Sequence, residues 1–209
     1  MTKKAGAEIA APKKDAETAN IMSINPMEGA PSLRDKGIYF LSGDFKPETA
    51  HKIVTWILEA NFNPQVEYDH LTLIINSPGG EVPSAFAIID AIEGSSIPVH
   101  TMGLGLIGSC GLLTFLAGAK GHRILTPNTS ILSHQWSWGD YGKAHELFAT
   151  VKQYQIIQDR ILNHYKKHTG LNKTQIEEKL LPAHDVWLSA QEALDLGICD
   201  EIKIMGQKK

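Results

Sequence analysis

The chain has 209 residues, of which 43% are hydrophobic and 21% charged, proportions that are ordinary for a globular protein. Its net charge of −3 gives no electrostatic reason to expect nucleic acid or a membrane surface as a partner. The two cysteines, Cys110 and Cys199, form neither a disulfide framework nor a metal-binding spacing, which fits a reducing cytosol.

The first part of the chain shows no sustained hydrophobic period. Residues 1–32 are rich in Ala, Lys, Glu, Pro and Gly, and they predict a flexible arm. The first twenty residues contain lysines but lack the apolar core that a signal peptide needs. The most apolar run, residues 103–119, is shorter than a bilayer span and is interrupted by glycines. We therefore expect no export signal and no transmembrane segment.

From Gly37 onwards, short apolar runs alternate with helical patterns, which predicts an α/β protein. The predicted strands are IYFL, LTLIIN, IPVHTMG, RILTP, SILSH and ICDEIKI. The predicted helices cover residues 47–61, VPSAFAIIDAI, residues 109–117, about 143–168, about 174–180 with a Thr174–Glu177 capping box, and Ser189 to Gly197 with a Ser189–Glu192 capping box.

The segment SPGG, residues 77–80, follows one predicted strand and precedes a helix. Two adjacent glycines in such a turn can bring bare backbone N–H groups close to a ligand. A tight strand-to-helix turn without any ligand would use the same residues. The segment alone therefore leaves both interpretations open.

Ser109 lies between two glycines in an otherwise apolar stretch, LGLIGSCGLLTFLAG, at the predicted start of a helix. There its hydroxyl would lie at the positive end of the helix dipole, where a developing oxyanion is stabilised. An ordinary helix N-cap is the alternative interpretation. The hydrolase motif G-x-S-x-G is absent because residue 107 is isoleucine.

A serine becomes an effective nucleophile only when a base accepts its proton. His134 ends an apolar strand just before the segment QWSWGDYG, at a position where side chains commonly meet a cleft. Asp185, in AHDVWLSA, could orient that imidazole. His164 and His168 have the i,i+4 spacing of metal ligands, but the sequence shows no third ligand, so we expect a solvated helix face there.

Three segments together resemble the proteolytic subunit of the Clp protease, over about Ile38 to Ile204. They are INSPGGEVPSAFAIIDAI, GLIGSCGLLTFLAGAKGHRILTPNTSILSHQ and HDVWLSAQEALDLGICDEI. The family has a serine leading into LLxAGAKGKR, a histidine in a strand ending in HQP, and an aspartate just before FLSAxEAxxxGLxD. The corresponding residues here are Ser109, His134 and Asp185.

The resemblance implies an α/β fold of the Clp protease/crotonase type, in which repeated β-β-α units form a spiral with a protruding handle helix. It implies a peptidase domain over residues 33–205, with the handle at about 135–168 and a tail at 206–209. It also implies a serine endopeptidase with a Ser-His-Asp triad. The oxyanion would be bound by the backbone N–H groups of Gly80 and Cys110.

Members of the family form heptameric rings, two of which stack into a tetradecamer around a closed chamber. The resemblance therefore implies self-assembly, unfolded protein or peptide substrates, and an AAA+ unfoldase of the Clp ATPase type as partner. ATP would be consumed by that partner, because the chain has no G-x-x-x-x-G-K-[ST] loop. We expect no cofactor, no metal, no nucleic acid and no membrane, and a cytoplasmic location.

The chain also departs from the family pattern. PSLRDKGIYFLSG lacks the usual aromatic and leucine pattern before the first strand, and GSCG replaces ASMG, which introduces Cys110 as a less favoured alternative nucleophile. A catalytically idle ring partner or adaptor is the main alternative function. Two further alternatives fit the sequence less well. A crotonase-like enzyme acting on a coenzyme A thioester would need no Ser-His-Asp triad. A relative of the signal-peptide peptidases would favour a membrane anchor and a Ser-Lys pair.

Overall fold

Short apolar strands pair in parallel to build the fold, because their Val-, Ile- and Leu-rich runs are buried on both faces. The computed structural model describes residues 32–65, 67–137, 139 and 141–204. The predicted tail, residues 206–209, and the predicted arm apart from Ser32 lie outside these ranges, so both boundaries stay predictions.

Strands and helices alternate along most of the chain. The strands are β1 Ile38–Ser42, β2 Leu71–Ser77, β3 Val99–Gly108, β4 Arg123–Leu125, β5 Ser130–Ser133, β6 Val186–Leu188 and β7 Glu201–Ile202. The helices are α1 Pro47–Phe62, α2 Val82–Gly94, α3 Cys110–Leu116, α4 Ala144–Thr169, α5 Lys173–Lys179 and α6 Ala190–Asp195, preceded by a 3-10 turn at Arg34–Lys36.

The main sheet has the order β1-β2-β3-β4-β7, and all of its neighbouring strands are parallel. β5 branches from this path: it pairs in parallel with β3 and antiparallel with β6. Helices α1 and α2 pack on the sheet through side chains that are completely buried, such as Ile53, Ile57 and Ile88. Each such burial contributes about 1.5–3 kcal/mol to stability. The predicted α/β class is confirmed.

On the side away from β2, strand β3 pairs with two different strands in succession. Its first half, Thr101–Gly103, pairs with β4, and its second half, Leu106–Gly108, pairs with β5. Gly105 lies between the halves with a φ of +64°, a conformation that glycine adopts without the strain that a side chain would bring. The second half of β3 therefore leads directly to the end of β5.

A buried ion pair joins β4 to the turn before β7. Nη2 of Arg123 lies 2.6 Å from Oδ1 of Asp200, and the Arg123 side chain is 3% exposed. The second carboxylate oxygen accepts hydrogen bonds from the backbone N–H groups of Gly121 and Arg123. Burial alone would raise the pKa of Asp200, but the hydrogen bonds from Arg123 and Gly121 outweigh burial and lower it.

Helix α4 changes character along its length. Ile161, His164 and Tyr165, in its carboxyl half, are buried against the domain. The amino half carries exposed apolar side chains, namely Leu147, Phe148, Val151, Tyr154 and Ile156. Within the described residues, every helix is too short or too polar to cross a bilayer.

Two local predictions differ from the structure. Helix α5 is capped by Asn172, whose Oδ1 accepts the Gln175 N–H while Gln175 Oε1 accepts the Asn172 N–H, each over 3.0 Å. The predicted Thr174–Glu177 box is therefore wrong, because an equivalent box two residues earlier starts the helix. Strand β6 was not predicted at all, since only three residues pair there.

Candidate active site

The carboxyl ends of β2, β3 and β5 meet at one edge of the sheet, where ligand sites of open α/β sheets commonly lie. Ser77, the last residue of β2, is in register with Ile107 of β3. The backbone N–H of Ser109 donates to the carbonyl of Leu132 in β5 over 2.9 Å. The SPGG turn, Ser109 and the end of β5 are thus neighbours.

Ser109 has a strained backbone, with φ of 53° and ψ of −118°. Among the described residues it is the only non-glycine with positive φ, and such a conformation costs of order 1–3 kcal/mol. Its side chain makes no capping hydrogen bond to α3, so the N-cap interpretation is wrong. Ser109 lies on a sharp strand-to-helix turn, the local setting in which many hydrolases present a nucleophile, although the G-x-S-x-G motif is absent.

The glycine turn after β2 packs directly against the backbone around Ser109. A Cβ on Gly79 would lie 2.7 Å from Cβ of Ser109 and 3.0 Å from the carbonyl oxygen of Gly108. A Cβ on Gly108 would lie 2.8 Å from the carbonyl oxygen of Pro78. These approaches leave no room for a side chain, and they press the turn against the serine.

Two backbone N–H groups lie beside Ser109 in this arrangement. Gly80 is exposed at the end of the turn, and Cys110 is the first residue of α3. Neither N–H group donates a hydrogen bond to another residue in the described part of the chain. Unpaired donors at such a position can bind the oxygen of a tetrahedral intermediate, and the loss of one typically costs ~3 kcal/mol of transition-state stabilisation.

The thiol of Cys110 is unsuited to act as a nucleophile. It is 1% exposed, and its Sγ lies 3.1 Å from the carbonyl oxygen of Gly80. Burial raises the pKa of the Cys110 thiol to about 11, so the group is protonated at neutral pH. Because the thiolate is the reactive form of cysteine, Cys110 is a poor candidate for the nucleophile.

His134 and Asp185 come together through the pairing of β5 with β6. The last pair in register is Ser133 with Val186, so His134 and Asp185 follow as the next opposite positions. Nδ1 of His134 lies 2.6 Å from the carbonyl oxygen of Gln135. Since a carbonyl can only accept, Nδ1 carries the proton and Nε2 is free to act as a base.

The structure gathers the three predicted triad residues at one edge but does not connect them. Among the hydrogen bonds of the described residues, none joins His134 to Ser109 or to Asp185. Asp185 is exposed, whereas Ser109 and His134 are half-buried. Sequence reasoning gave no sign of the Gln135 carbonyl, which takes the place next to Nδ1 that the triad would assign to the carboxylate.

A cavity of about 310 Å³ adjoins Gly80, between the glycine turn and α4. Trp136 forms one wall: its ring stacks on Tyr154 at 4.7 Å, and its Nε1 donates to Oε1 of Gln158 over 3.1 Å. The cavity is mainly apolar at its edge, with Val82, Pro83 and Ile157 among its lining residues. It can accept an apolar side chain next to the candidate oxyanion site.

The prediction of a solvated helix face at His164 and His168 is wrong. His164 is only 6% exposed, and Nε2 lies 2.8 Å from the carbonyl oxygen of Leu113. His168 contacts Glu93, which is 75 residues away along the chain. The pairing of α2 with the end of α4 brings the glutamate there, and no local pattern predicts that contact.

Comparisons with known proteins agree on one family. The family model described as Clp protease matches residues 19–205. The ATP-dependent Clp protease proteolytic subunit 2 of Thermobifida fusca is 36% identical over 181 residues, which is 86% of this chain and 87% of the relative. The ATP-dependent Clp protease proteolytic subunit of Deinococcus radiodurans is 34% identical over 173 residues, 81% of each chain.

Proposed function

The chain belongs to the Clp protease family and is a serine-type proteolytic subunit, and we propose that Ser109, His134 and Asp185 are its catalytic triad. The strained backbone of Ser109, beside two unpaired N–H groups, is the observation that carries this proposal. Strain at a polar residue that caps nothing is typical of a side chain held in place for chemistry.

In the proposed mechanism, Oγ of Ser109 attacks the carbonyl carbon of a peptide bond while Nε2 of His134 accepts the hydroxyl proton. The carbonyl oxygen becomes an oxyanion, bound by the N–H groups of Gly80 and Cys110. His134 then returns the proton to the leaving amine, which departs and leaves an acyl-enzyme. Water, activated by the same imidazole, hydrolyses the ester, and Asp185 stabilises the imidazolium in both steps.

We further propose that the cavity beside Gly80 accepts the side chain on the acyl side of the cleaved bond. Gly80 lines this cavity, so a substrate side chain bound there would bring the adjoining carbonyl towards the proposed oxyanion donors. The apolar lining favours residues such as Leu or Met. The segment QWSW also predicts that Trp138 narrows the cleft together with Trp136, but Trp138 lies outside the described residues.

Assembly and partners extend the proposal. We infer that the chain forms heptameric rings that pair into a tetradecamer, and that a Clp-type AAA+ ATPase delivers unfolded polypeptides to it in the cytoplasm. The exposed apolar side chains on the amino half of α4 support ring-to-ring contact, because a helix face of this kind is commonly covered in an assembly. Sedimentation velocity measures the particle mass directly, and a monomer at micromolar concentration would overturn this part.

Covalent labelling tests the triad. A fluorophosphonate reacts only with an activated serine, so the parent protein should be labelled on the peptide that contains Ser109. Ser109→Ala should abolish both labelling and hydrolysis of a short fluorogenic peptide. The matched control is Ser42→Ala, which removes an exposed serine at the end of β1, outside the cavity, and should leave labelling unchanged.

The outcomes separate the alternatives. If the Ser109→Ala protein were labelled as fast as the parent, Ser109 would not be the nucleophile. If the assembled parent were neither labelled nor active, the idle ring partner would be the better description.

A further inference from the structure

A second cluster of chemically active side chains lies away from Ser109, where the end of α2 meets the carboxyl end of α4. It contains Glu93, His164 and His168, and one donor atom from each lies within 4.8 Å of the other two. The two histidines are one helical turn apart, so both rings face the same side of α4. The proposed peptidase mechanism uses none of these residues.

His164 is held in a form that suits a metal ligand. Its Nε2 lies 2.8 Å from the Leu113 carbonyl oxygen, which can only accept, so Nε2 carries the proton and Nδ1 keeps its lone pair. Metal-bound histidines commonly donate their other ring N–H to a carbonyl in this way. Burial, and then the neighbouring His168, lowers the pKa of His164 to about 4, so the ring stays neutral at physiological pH.

His168 and Glu93 already contact each other. Nε2 of His168 lies 2.9 Å from Oε1 of Glu93, and Nζ of Lys167 lies 2.6 Å from Oε2. Burial would raise the pKa of Glu93, but hydrogen bonds from Lys167 and His168 outweigh it and lower the pKa. The glutamate is therefore an ionised carboxylate, and each of its two oxygens contacts a nitrogen of a basic side chain.

The backbone that supplies the ligands is firmly placed. Nη1 of Arg123 donates to the carbonyl oxygen of His168 over 2.9 Å, and Arg123 itself is fixed by Asp200. The ring of Phe86 meets His164 edge-on at 6.3 Å and closes one side. Glu93 is the exposed member of the cluster, so the site opens to solvent through the glutamate.

We propose that Glu93, His164 and His168 bind a Zn²⁺ ion. Two imidazoles and one carboxylate are a donor set that zinc prefers, with water as the fourth ligand. Bond lengths of about 2.0–2.2 Å place tetrahedral ligands roughly 3.3–3.5 Å apart, so the donor atoms must close by at most about 1.5 Å. The ion takes the place of the proton between His168 and Glu93, and that proton moves from Nε2 to Nδ1 of the neutral His168 ring, so that Nε2 can bind the metal.

Bound zinc would tie three helices together. Glu93 belongs to α2, both histidines belong to α4, and the Leu113 carbonyl that orients His164 belongs to α3, which begins next to Ser109. The ion would thus act as a structural clamp behind the nucleophile, and its effect should appear in folding stability as well as in binding.

A second group of three histidines in the chain could in principle compete for the metal. His70, His100 and His122 stack ring on ring, with centroids 4.1 Å and 3.9 Å apart. Stacked rings direct their nitrogens sideways, parallel to one another, and do not converge on one ion. This stack therefore serves as the matched control for zinc binding.

Calorimetric titration tests the site on the full-length assembled protein, after treatment with EDTA and removal of the chelator. Titration with ZnCl₂ should give one Zn²⁺ per chain, and X-ray absorption should show two imidazoles with additional oxygen ligands. Glu93→Gln and His168→Gln should each weaken binding at least about tenfold. The melting temperature of the parent should rise by several degrees at a free zinc concentration one hundred times Kd.

Controls keep the test decisive even if a His164 variant fails to fold. His100→Asn and His134→Ala should bind zinc as the parent does. The proposal is wrong if the parent does not bind zinc at micromolar concentration, if Glu93→Gln and His168→Gln bind it unchanged, or if binding is lost only with His100 or His134. None of these readouts requires peptidase activity.

Discussion

Nδ1 of His134 donates to the carbonyl oxygen of Gln135, 2.6 Å away, although Asp185 lies opposite His134 just beyond the last pair of β5 and β6. The carbonyl holds the ring in the tautomer that a base needs, but it offers no full negative charge to a developing imidazolium. We therefore expect a rearrangement before the serine is activated, in which the Nδ1–H group of His134 leaves the Gln135 carbonyl and donates its hydrogen bond to Asp185.

Replacing Asp185 by asparagine tests that transfer. Asp185→Asn should lower kcat for a short fluorogenic peptide by roughly 10⁴-fold with little change in KM, because the developing imidazolium loses its counter-charge. Asp195→Asn, at an exposed carboxylate near the end of α6, should leave kcat unchanged. A loss of less than tenfold for Asp185→Asn would show that the Gln135 carbonyl suffices and that the carboxylate is not part of the machinery.

Gly79 is expected to control the position of the nucleophile. Gly79→Ala introduces a Cβ that would lie 2.7 Å from Cβ of Ser109, at a backbone φ of +113°. The backbone must shift, so labelling by a fluorophosphonate should slow by at least about tenfold, and stability should fall by about 1–3 kcal/mol. Gly94→Ala is the control, because its Cβ would meet no atom within 4 Å. Equal labelling rates for both variants would contradict the close packing described here.

The Arg123–Asp200 ion pair should matter strongly for stability. Arg123→Met leaves a partly buried carboxylate without its partner, which should lower the free energy of unfolding by about 3–5 kcal/mol. The double variant Arg123→Met/Asp200→Asn should recover part of that loss. Urea unfolding at fixed protein concentration measures both.

The exposed pair Lys46–Asp44, at 3.2 Å, provides the comparison for this prediction. Lys46→Met should change the free energy of unfolding by less than about 1 kcal/mol, because water screens exposed charges. A similar small change for Arg123→Met would mean that burial does not strengthen the inner pair.

His100 should contribute to the pH dependence of stability. Burial, and then the neighbouring rings of His70 and His122, lowers the pKa of His100 to about 4. The unfolded chain, with its ordinary pKa near 6.5, therefore binds the proton more readily, and stability is lost as the pH falls from about 6.5 towards 4. His100→Phe removes this titration and should flatten the pH dependence by about 1 kcal/mol, a value reduced for partial exposure.

Urea unfolding at pH 7 and pH 4.5 measures this effect. His51→Phe, at an exposed position of α1, should keep the slope of the parent. If His100→Phe also kept that slope, the folded and unfolded states would have the same proton affinity at this residue.

The sequence predicted most elements because apolar runs and capping residues act locally. Ser189 and Glu192, for example, form the predicted capping box. It did not predict the positive φ of Ser109, nor that Gly79, in the turn after β2, packs against this residue. The short strand β6 depends on pairing with β5, and its Trp187 is exposed, so its three residues carry no pattern.

The burial of His164 shows the same limit. In the sequence, His164 and His168 are four residues apart in a helix rich in charged residues, and this pattern predicts a solvent-exposed helix face. The structure places Glu93 and the Leu113 carbonyl against it, and both contacts depend on how α2 and α3 pack against α4. Contacts between distant segments are set by tertiary packing, which a single sequence reveals only through resemblance.

The division of β3 between two neighbours has an evolutionary consequence. Since Thr101–Gly103 are locked to β4 and Leu106–Gly108 to β5, deleting one residue between them would turn Ser109 to the opposite side of the sheet. Insertions and deletions among descendants of this gene should therefore accumulate in the connections, such as the loop between α1 and β2, while the spacing from Val99 to Ser109 stays constant.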